Sequence, residues 1–193
     1  ENAAGNIIHL GTVDRQHGVE YFIGAIPYVL KKYPRQKFLL IGGGRELENN
    51  KKLARSLGVD NSCLFTDYLP CEKAREFLKK SLIGIVPRLN NLPNRIITTL
   101  KIYEYWASKT AVVSSRLKGI EEIATDLEDI VFFRPGDSRN LAGKIIFLLD
   151  NPAVLEKIRQ AGYKAAQKFN WDELIPLIVD FALQKAQISP AGE

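Results

Sequence analysis

The chain is predicted to fold as an α/β domain, a Rossmann-like three-layer sandwich with a mainly parallel sheet. Two observations predict it. Short runs rich in Ile, Leu, Val and Phe alternate with longer segments of helical periodicity. Each step from strand to strand takes about 20 to 25 residues, room for a helical crossover rather than a hairpin. Right-handed crossovers of that kind wind helices onto both faces of one sheet.

Asn6–Leu10 reads as a buried strand ending at Gly11, and the loop Thr12–His17 leads into a helix from about Gly18 to Tyr33. Val19, Phe22, Ile23, Ile26, Leu30 and Tyr33 form its apolar stripe, with Pro27 expected to kink it. Lys37–Ile41 is the second strand, running into Gly42-Gly43-Gly44-Arg45. Glu46–Leu57 is a polar helix closed by Gly58 as C-cap. Strand Ser62–Thr66, helix Cys71–Lys80 and strand Leu82–Val86 follow, then a loop marked by Pro87, Pro93 and adjacent asparagines. Later elements are strand Ala111–Ser114, a helical turn at Ile120–Ala124 and a last strand, Ile130–Phe133. Helices over Ser138–Leu149 and Pro152–Phe169 come next, and a final one runs to near Lys185 from a capping-box-like start at Asn170-Trp171-Asp172-Glu173. Residues 1–193 read as a single domain, with linker ends at 1–5 and 189–193.

With 46% hydrophobic and 25% charged residues in 193, the chain has the make-up of one globular domain with a full core. It holds no run of about 18 apolar residues, so no membrane-spanning helix is expected, and no signal peptide opens it. Cys63 and Cys71 lack metal-type spacing and read as reduced thiols, which points to the cytoplasm. The net charge of +5 suits an anionic ligand or a peripheral contact with a membrane surface. Basic residues spread along helices, without an aromatic-basic module, argue against nucleic acid. Methionine is absent, position 1 included, so the chain is expected to be part of a longer protein.

Function concentrates in Asn94–Ser115. Thr99 is placed to cap a short helix from Leu100 to about Ser108. At about 100° per residue, Leu100, Ile102, Tyr103, Trp106 and Ala107 share one apolar arc, with Glu104 at its edge beside Leu100. The helix starts just past the carboxyl end of a strand, where open α/β sheets hold ligands. Free N–H groups on Thr98, Thr99 and Leu100 would suit phosphate oxygens. Glu104, one turn deeper, would suit a pair of sugar hydroxyls. A second reading of Glu104 stays open, that of a surface carboxylate paired with Lys101 or a neighbour.

The run Lys101-Ile102-Tyr103-Glu104-Tyr105-Trp106-Ala107, followed by Ala111-Val112-Val113-Ser114-Ser115, resembles the K-x-x-E-Y-x-A-x-G-x-P-V-V-x-S signature of group 1 glycosyltransferases. These are retaining enzymes of the GT-B architecture, and the resemblance spans about Ile7 to Leu174. It implies that Glu104 binds the ribose of a sugar nucleotide. Lys101 is then a candidate to assist the departing diphosphate, with a plain solvent-facing lysine as the other reading. Gly11 to Gly18 resembles the family's G-R-x-x-x-x-K-G loop, with Thr12 and His17 at the positions whose Arg and Lys hold the donor diphosphate. Gly42-Gly43-Gly44 resembles the V-G-x-G turn, which places Gly42 and Gly44 near the donor. Phe65-Thr66-Asp67-Tyr68-Leu69-Pro70 resembles F-T-G-x-x-P, which makes Tyr68 and Leu69 candidates for base contacts. Lys118 to Glu122 and Arg134 to Asp137 resemble the G-G-x-x-E and x-P-G-D segments.

The departures fall at chemically important places. Ile96 stands where the commonest family pattern has a first glutamate, and Lys109 and Ala111 replace its Gly and Pro. Because Thr12 is neutral and His17 only partly charged near pH 7, Arg15, Arg45, Arg88 and Arg95 are candidates to supply the missing charge. The resemblance implies the carboxyl-terminal donor-binding half of a hexosyl glycosyltransferase of polysaccharide biosynthesis. Its donor would be a nucleoside diphosphate sugar, with no cofactor or metal. Its acceptor, a glycan or a lipid-linked molecule, would sit on an amino-terminal GT-B domain of the same chain. The alternatives are half of a GT-B-like sugar-nucleotide epimerase and a non-catalytic nucleotide-binding module.

Overall fold

The computed structural model describes residues 5–187. Six strands form one sheet in the order β3-β2-β1-β4-β5-β6, every neighbouring pair parallel. They are β1 (Asn6–Leu10), β2 (Phe38–Ile41), β3 (Cys63–Phe65), β4 (Ser81–Val86), β5 (Ala111–Ser115) and β6 (Ile130–Phe133). The helices are α1 (Val19–Lys32), α2 (Leu47–Ser56), α3 (Cys71–Lys79), α4 (Leu92–Ile96), α5 (Leu100–Ala107), α6 (Lys118–Glu121), α7 (Ser138–Asp150), α8 (Pro152–Gln167) and α9 (Trp171–Gln187). The strands lie within one residue of their predicted bounds.

Alternation along each strand feeds two cores, one per face. Phe38 and Leu40 of β2, Ile83 and Ile85 of β4 and Val113 of β5 pack with α1 and α7. Leu39 and Ile41, Val86 and Val112 pack on the other side with Ile102, Tyr105 and Trp106 of α5. The chain therefore forms the expected three layers. Strand order reverses between β1 and β4, and the connections leaving them diverge: α1 covers one face and α5 the other. Their parting opens a crevice at the carboxyl ends of the strands.

Three local expectations are corrected. The loop after β4 contains the unpredicted α4, started by Asn91, whose side chain accepts the Asn94 N–H at 3.0 Å, with Pro93 in its first turn. The helical turn expected at Ile120–Ala124 lies earlier, as α6. Thr99 does occupy the N-cap position of α5, but its side chain makes no capping hydrogen bond. Pro27 lies inside α1. At the start of α9, the Asn170 side chain accepts the Asp172 N–H at 3.3 Å. Residues 1–4 and 188–193 and the side chain of Glu173 lie outside the described residues, and with them most of the expected linker ends.

Candidate functional site

A cavity of about 750 Å³ occupies the crevice between β1 and β4. Its floor comes from the ends of β1 and β2: Leu10, Gly11, Thr12, Ile41 and Gly42. One wall is Tyr68, Leu69 and one face of α3; the other is Arg88 and the segment from Thr98 to Ser108.

Glycine makes the floor possible. Gly42 has φ +132°, and a Cβ there would stand 2.2 Å from the Gly11 carbonyl oxygen. The two loops are thus pressed together, and backbone bonds lace them: Gly11 N–H donates to Ile41 at 2.8 Å and Val13 N–H to Gly43 at 2.8 Å. Gly11, at φ +122°, carries the Lys101 side chain across its face; a Cβ there would lie 2.1 Å from Lys101 Cε. No residue with a side chain fits either place without displacing a neighbour.

The buried face of α5 differs from the predicted arc. Ile102, Tyr105 and Trp106 are fully buried, whereas Leu100 is 76% exposed and Ala107 faces the cavity. Two anchors set this roll. The Tyr105 hydroxyl accepts the Leu10 N–H at 2.8 Å, its ring lying flat where a side chain on Gly84 would collide. Trp106 Nε1 donates to the Asp129 carbonyl at 2.9 Å and its ring fits against Gly162. With those faces fixed, Leu100, Glu104, Ala107 and Ser108 are turned into the cavity. A count of apolar residues along the helix could not see that an aromatic hydroxyl would find a buried backbone donor.

At the start of α5 the N–H groups of Thr98, Thr99 and Leu100 make no hydrogen bond among the described residues. They point their partial positive charge toward the cavity end of the helix. Glu104 is exposed there, and among the described residues its carboxylate makes no hydrogen bond and no ion pair within 4.0 Å. The reading of Glu104 as one half of a salt bridge therefore lacks its partner. Lys101 is half-buried, so it is not the solvent-facing lysine considered from sequence. Burial, then the charge of Arg88, push its pKa down, while Glu104 pushes it up.

Of the residues singled out from sequence, Gly11, Thr12, Gly42, Tyr68, Leu69, Thr98, Thr99, Leu100, Lys101 and Glu104 meet in this one cavity. His17, Gly44 and Arg45 do not reach its wall. Gly44 faces Val13, whose carbonyl oxygen a Cβ would approach to 2.5 Å. Arg45 is exposed, and its backbone N–H donates to Asp14 Oδ1 at 3.0 Å. His17 is buried within the loop after β1, its Nδ1 unpartnered among the described residues. Burial, then Lys101 and Arg88, depress its pKa to about 4, so the ring is neutral near pH 7 rather than partly charged. Nearby His9 is held lower still, at about 3, by burial first and Lys101 second.

Among the four arginines considered, only Arg88 lines the cavity. Arg95 is tied to Asn90 Oδ1 at 2.6 Å, and Arg15 is exposed. Sequence reading missed Cys71, Arg75 and Lys79 on the α3 wall, although their spacing along one helix face was available as a signal. The described residues hold no cluster of three or more His, Cys, Asp or Glu able to bind a metal ion.

Comparison with known proteins bears on the family and the fold of the chain. The chain is 24% identical over 169 residues to an uncharacterized glycosyltransferase of Methanocaldococcus jannaschii, covering 87% of this chain and 42% of that protein. It is 24% identical over 178 residues to the D-inositol 3-phosphate glycosyltransferase of Acidothermus cellulolyticus, covering 88% of this chain and 38% of that one. The chain thus spans less than half the length of these curated relatives. Its fold matches the crystal structure of the C-terminal domain of a glycosyl transferase group 1 family protein, LpcC, from Francisella tularensis. That match has a TM-score of 0.75 at 24% identity over 86% of each chain. It also matches Anabaena HepE, solved in complex with UDP-glucose, with a TM-score of 0.83 at 16% identity over 94% of this chain and 49% of that one. The family model described as glycosyl transferases group 1 matches residues 4–151, and the chain belongs to that family.

Proposed function

We propose that this chain is the donor-binding domain of a retaining glycosyltransferase. In this reading it takes a nucleoside diphosphate sugar and passes a hexose to a glycan or lipid-linked acceptor. The observation that carries the reading is the composition of one cavity wall. Within two turns, α5 offers unpartnered N–H groups, a half-buried ammonium and an unpaired carboxylate. Phosphate oxygens match the first two, and the ribose diol matches the third. Tyr68 and Leu69, across the cavity, would flank the base. Catalysis would consist in stabilising the diphosphate as it leaves, through charges already in place before reaction.

The acceptor would sit on an amino-terminal domain of the same protein, facing the open side of the cavity. Two features support that partner: the greater length of the relatives, and the exposed apolar side chains of Ile175, Leu177, Ile178 and Leu183 on α9. The reading extends to polysaccharide biosynthesis on the cytoplasmic side, and the net charge of +5 suits a peripheral contact with a membrane surface. No described helix is long and apolar enough to cross a membrane.

Calorimetric titration of the chain with UDP, GDP and ADP tests the proposal, UDP first because HepE was solved with it. The chain should bind at least one of them yet transfer little or no sugar alone. Glu104→Ala should weaken that binding by about 1–3 kcal/mol, through loss of a charged hydrogen bond. Equal binding by the variant sinks the ribose assignment. Binding of none of the three would favour a non-catalytic module, the reading that neutral Thr12 and His17 support.

A further inference from the structure

We infer that Arg88 is the residue that holds the donor's diphosphate together with Lys101, supplying from the β4 side the charge that positions 12 and 17 lack. The inference rests on the donor-binding reading above and names the machinery of that site. Arg88 follows the buried end of β4 through Pro87, whose carbonyl oxygen is packed against Gly18, so its backbone is fixed at the crevice. Its side chain lines the cavity, half-buried, and Nη1 is sealed from solvent without a hydrogen-bond partner. No carboxylate of the described residues lies within 4.0 Å of it. A guanidinium withdrawn from water without a counter-charge is costly, and such a group is normally paired.

Its charged neighbour on the cavity wall is also cationic. Lys101, draped over Gly11 on the same cavity wall, feels Arg88 as a repelling charge, and so does His17, which stays neutral. Among the groups that bear on Lys101 only Glu104 counters it, from one turn further along α5, and among the described residues no carboxylate stands within 4.0 Å of Arg88. Two like charges share a half-desolvated corner next to three free helix N–H groups. An anion with several oxygens would relieve all of these at once, and the flat guanidinium fork matches two phosphate oxygens. The other cations lining the cavity, Arg75 and Lys79, stand exposed on the opposite wall, on α3 beside Tyr68 and Leu69, the end assigned to the base.

The test compares each nucleoside diphosphate with its nucleoside, uridine, guanosine or adenosine, by calorimetry on the chain. Folding of every variant is checked by its unliganded unfolding midpoint. The wild type should prefer one diphosphate to its nucleoside. Arg88→Gln should lower the affinity for that diphosphate about ten- to hundredfold and leave the nucleoside affinity unchanged. Arg88→Lys, the variant to read if Gln impairs folding, should lose less, since charge survives but the fork does not. Arg75→Ala, at the base end, should leave the preference for the diphosphate over its nucleoside in place. The inference is overturned if the Arg88 variants keep wild-type diphosphate affinity, if nucleoside affinity falls in parallel, or if Arg75→Ala removes the preference instead. A wild type that prefers no diphosphate overturns the donor-binding reading itself, and this inference with it.

Discussion

The loop after β1 and the loop after β4 border the same crevice but are held in place differently. The first, residues 11–18, relies on its backbone: Gly11 and Gly18 have positive φ, and main-chain bonds tie the loop to the turn after β2. Its side chains at the family's charged positions are a threonine and a neutral histidine. The second, residues 87–99, relies on side chains. Asn91 caps α4, and buried Asn94 donates from Nδ2 to the Leu89 carbonyl at 3.0 Å and the Gln16 carbonyl at 2.9 Å. This second loop brings Arg88 and leads into Lys101 and Glu104. Shape therefore comes from one strand end and charge from the other, and Asn94 joins them by reaching across to Gln16.

The sharpest way to break this contrast is Gly42→Ala. Alanine would have to adopt φ +132° with its Cβ 2.2 Å from a backbone oxygen that cannot rotate away. A loss of about 3 kcal/mol or more is expected in urea unfolding. A loss below about 1 kcal/mol would show that the first loop is not pinned by its backbone. Asn94→Ala should cost somewhat less, about 2 kcal/mol, because it strips a buried donor from two carbonyls while Gln16 keeps the Leu89 N–H at 3.3 Å. If the second loop held its shape without Asn94, that variant would unfold at the wild-type midpoint.

The same contrast explains what could be read from sequence. The strands were legible because apolar runs and glycines are local signals, so strand bounds from Asn6 to Phe133 fell within one residue. The cavity was legible through the spacing of Thr98 to Glu104 and through the segments after β1, β2 and β3. Three things were not. The roll of α5 depends on Tyr105 finding the Leu10 N–H, a partner 95 residues away. The role of glycines 42 and 44 as loop-to-loop contacts depends on which loops become neighbours. The choice of Arg88 over Arg15, Arg45 and Arg95 depends on burial, since four arginines look alike in sequence until the fold decides which one is half-buried.

A weaker perturbation probes the neutral side of the contrast, the state of His17. Its native pKa of about 4 lies below the ordinary 6.5, so the unfolded chain takes up a proton on acidification before the folded chain does. The stability that this ring contributes is therefore full above about pH 6.5 and is lost as pH falls from there toward 4, at up to about 1.4 kcal/mol per pH unit. By pH 5 the loss should approach about 2 kcal/mol. His9, lower still, adds a similar slope, and the carboxylates add theirs, so the wild-type curve alone does not isolate His17. His17→Gln does: glutamine keeps hydrogen-bonding capacity but cannot titrate. Relative to their own values at pH 7.5, the variant should lose about 2 kcal/mol less than the wild type by pH 5. Parallel curves would mean that His17 is protonated in the folded protein like an exposed histidine. The first loop would then carry a charge after all, and Arg88 and Lys101 would have a third cation beside them.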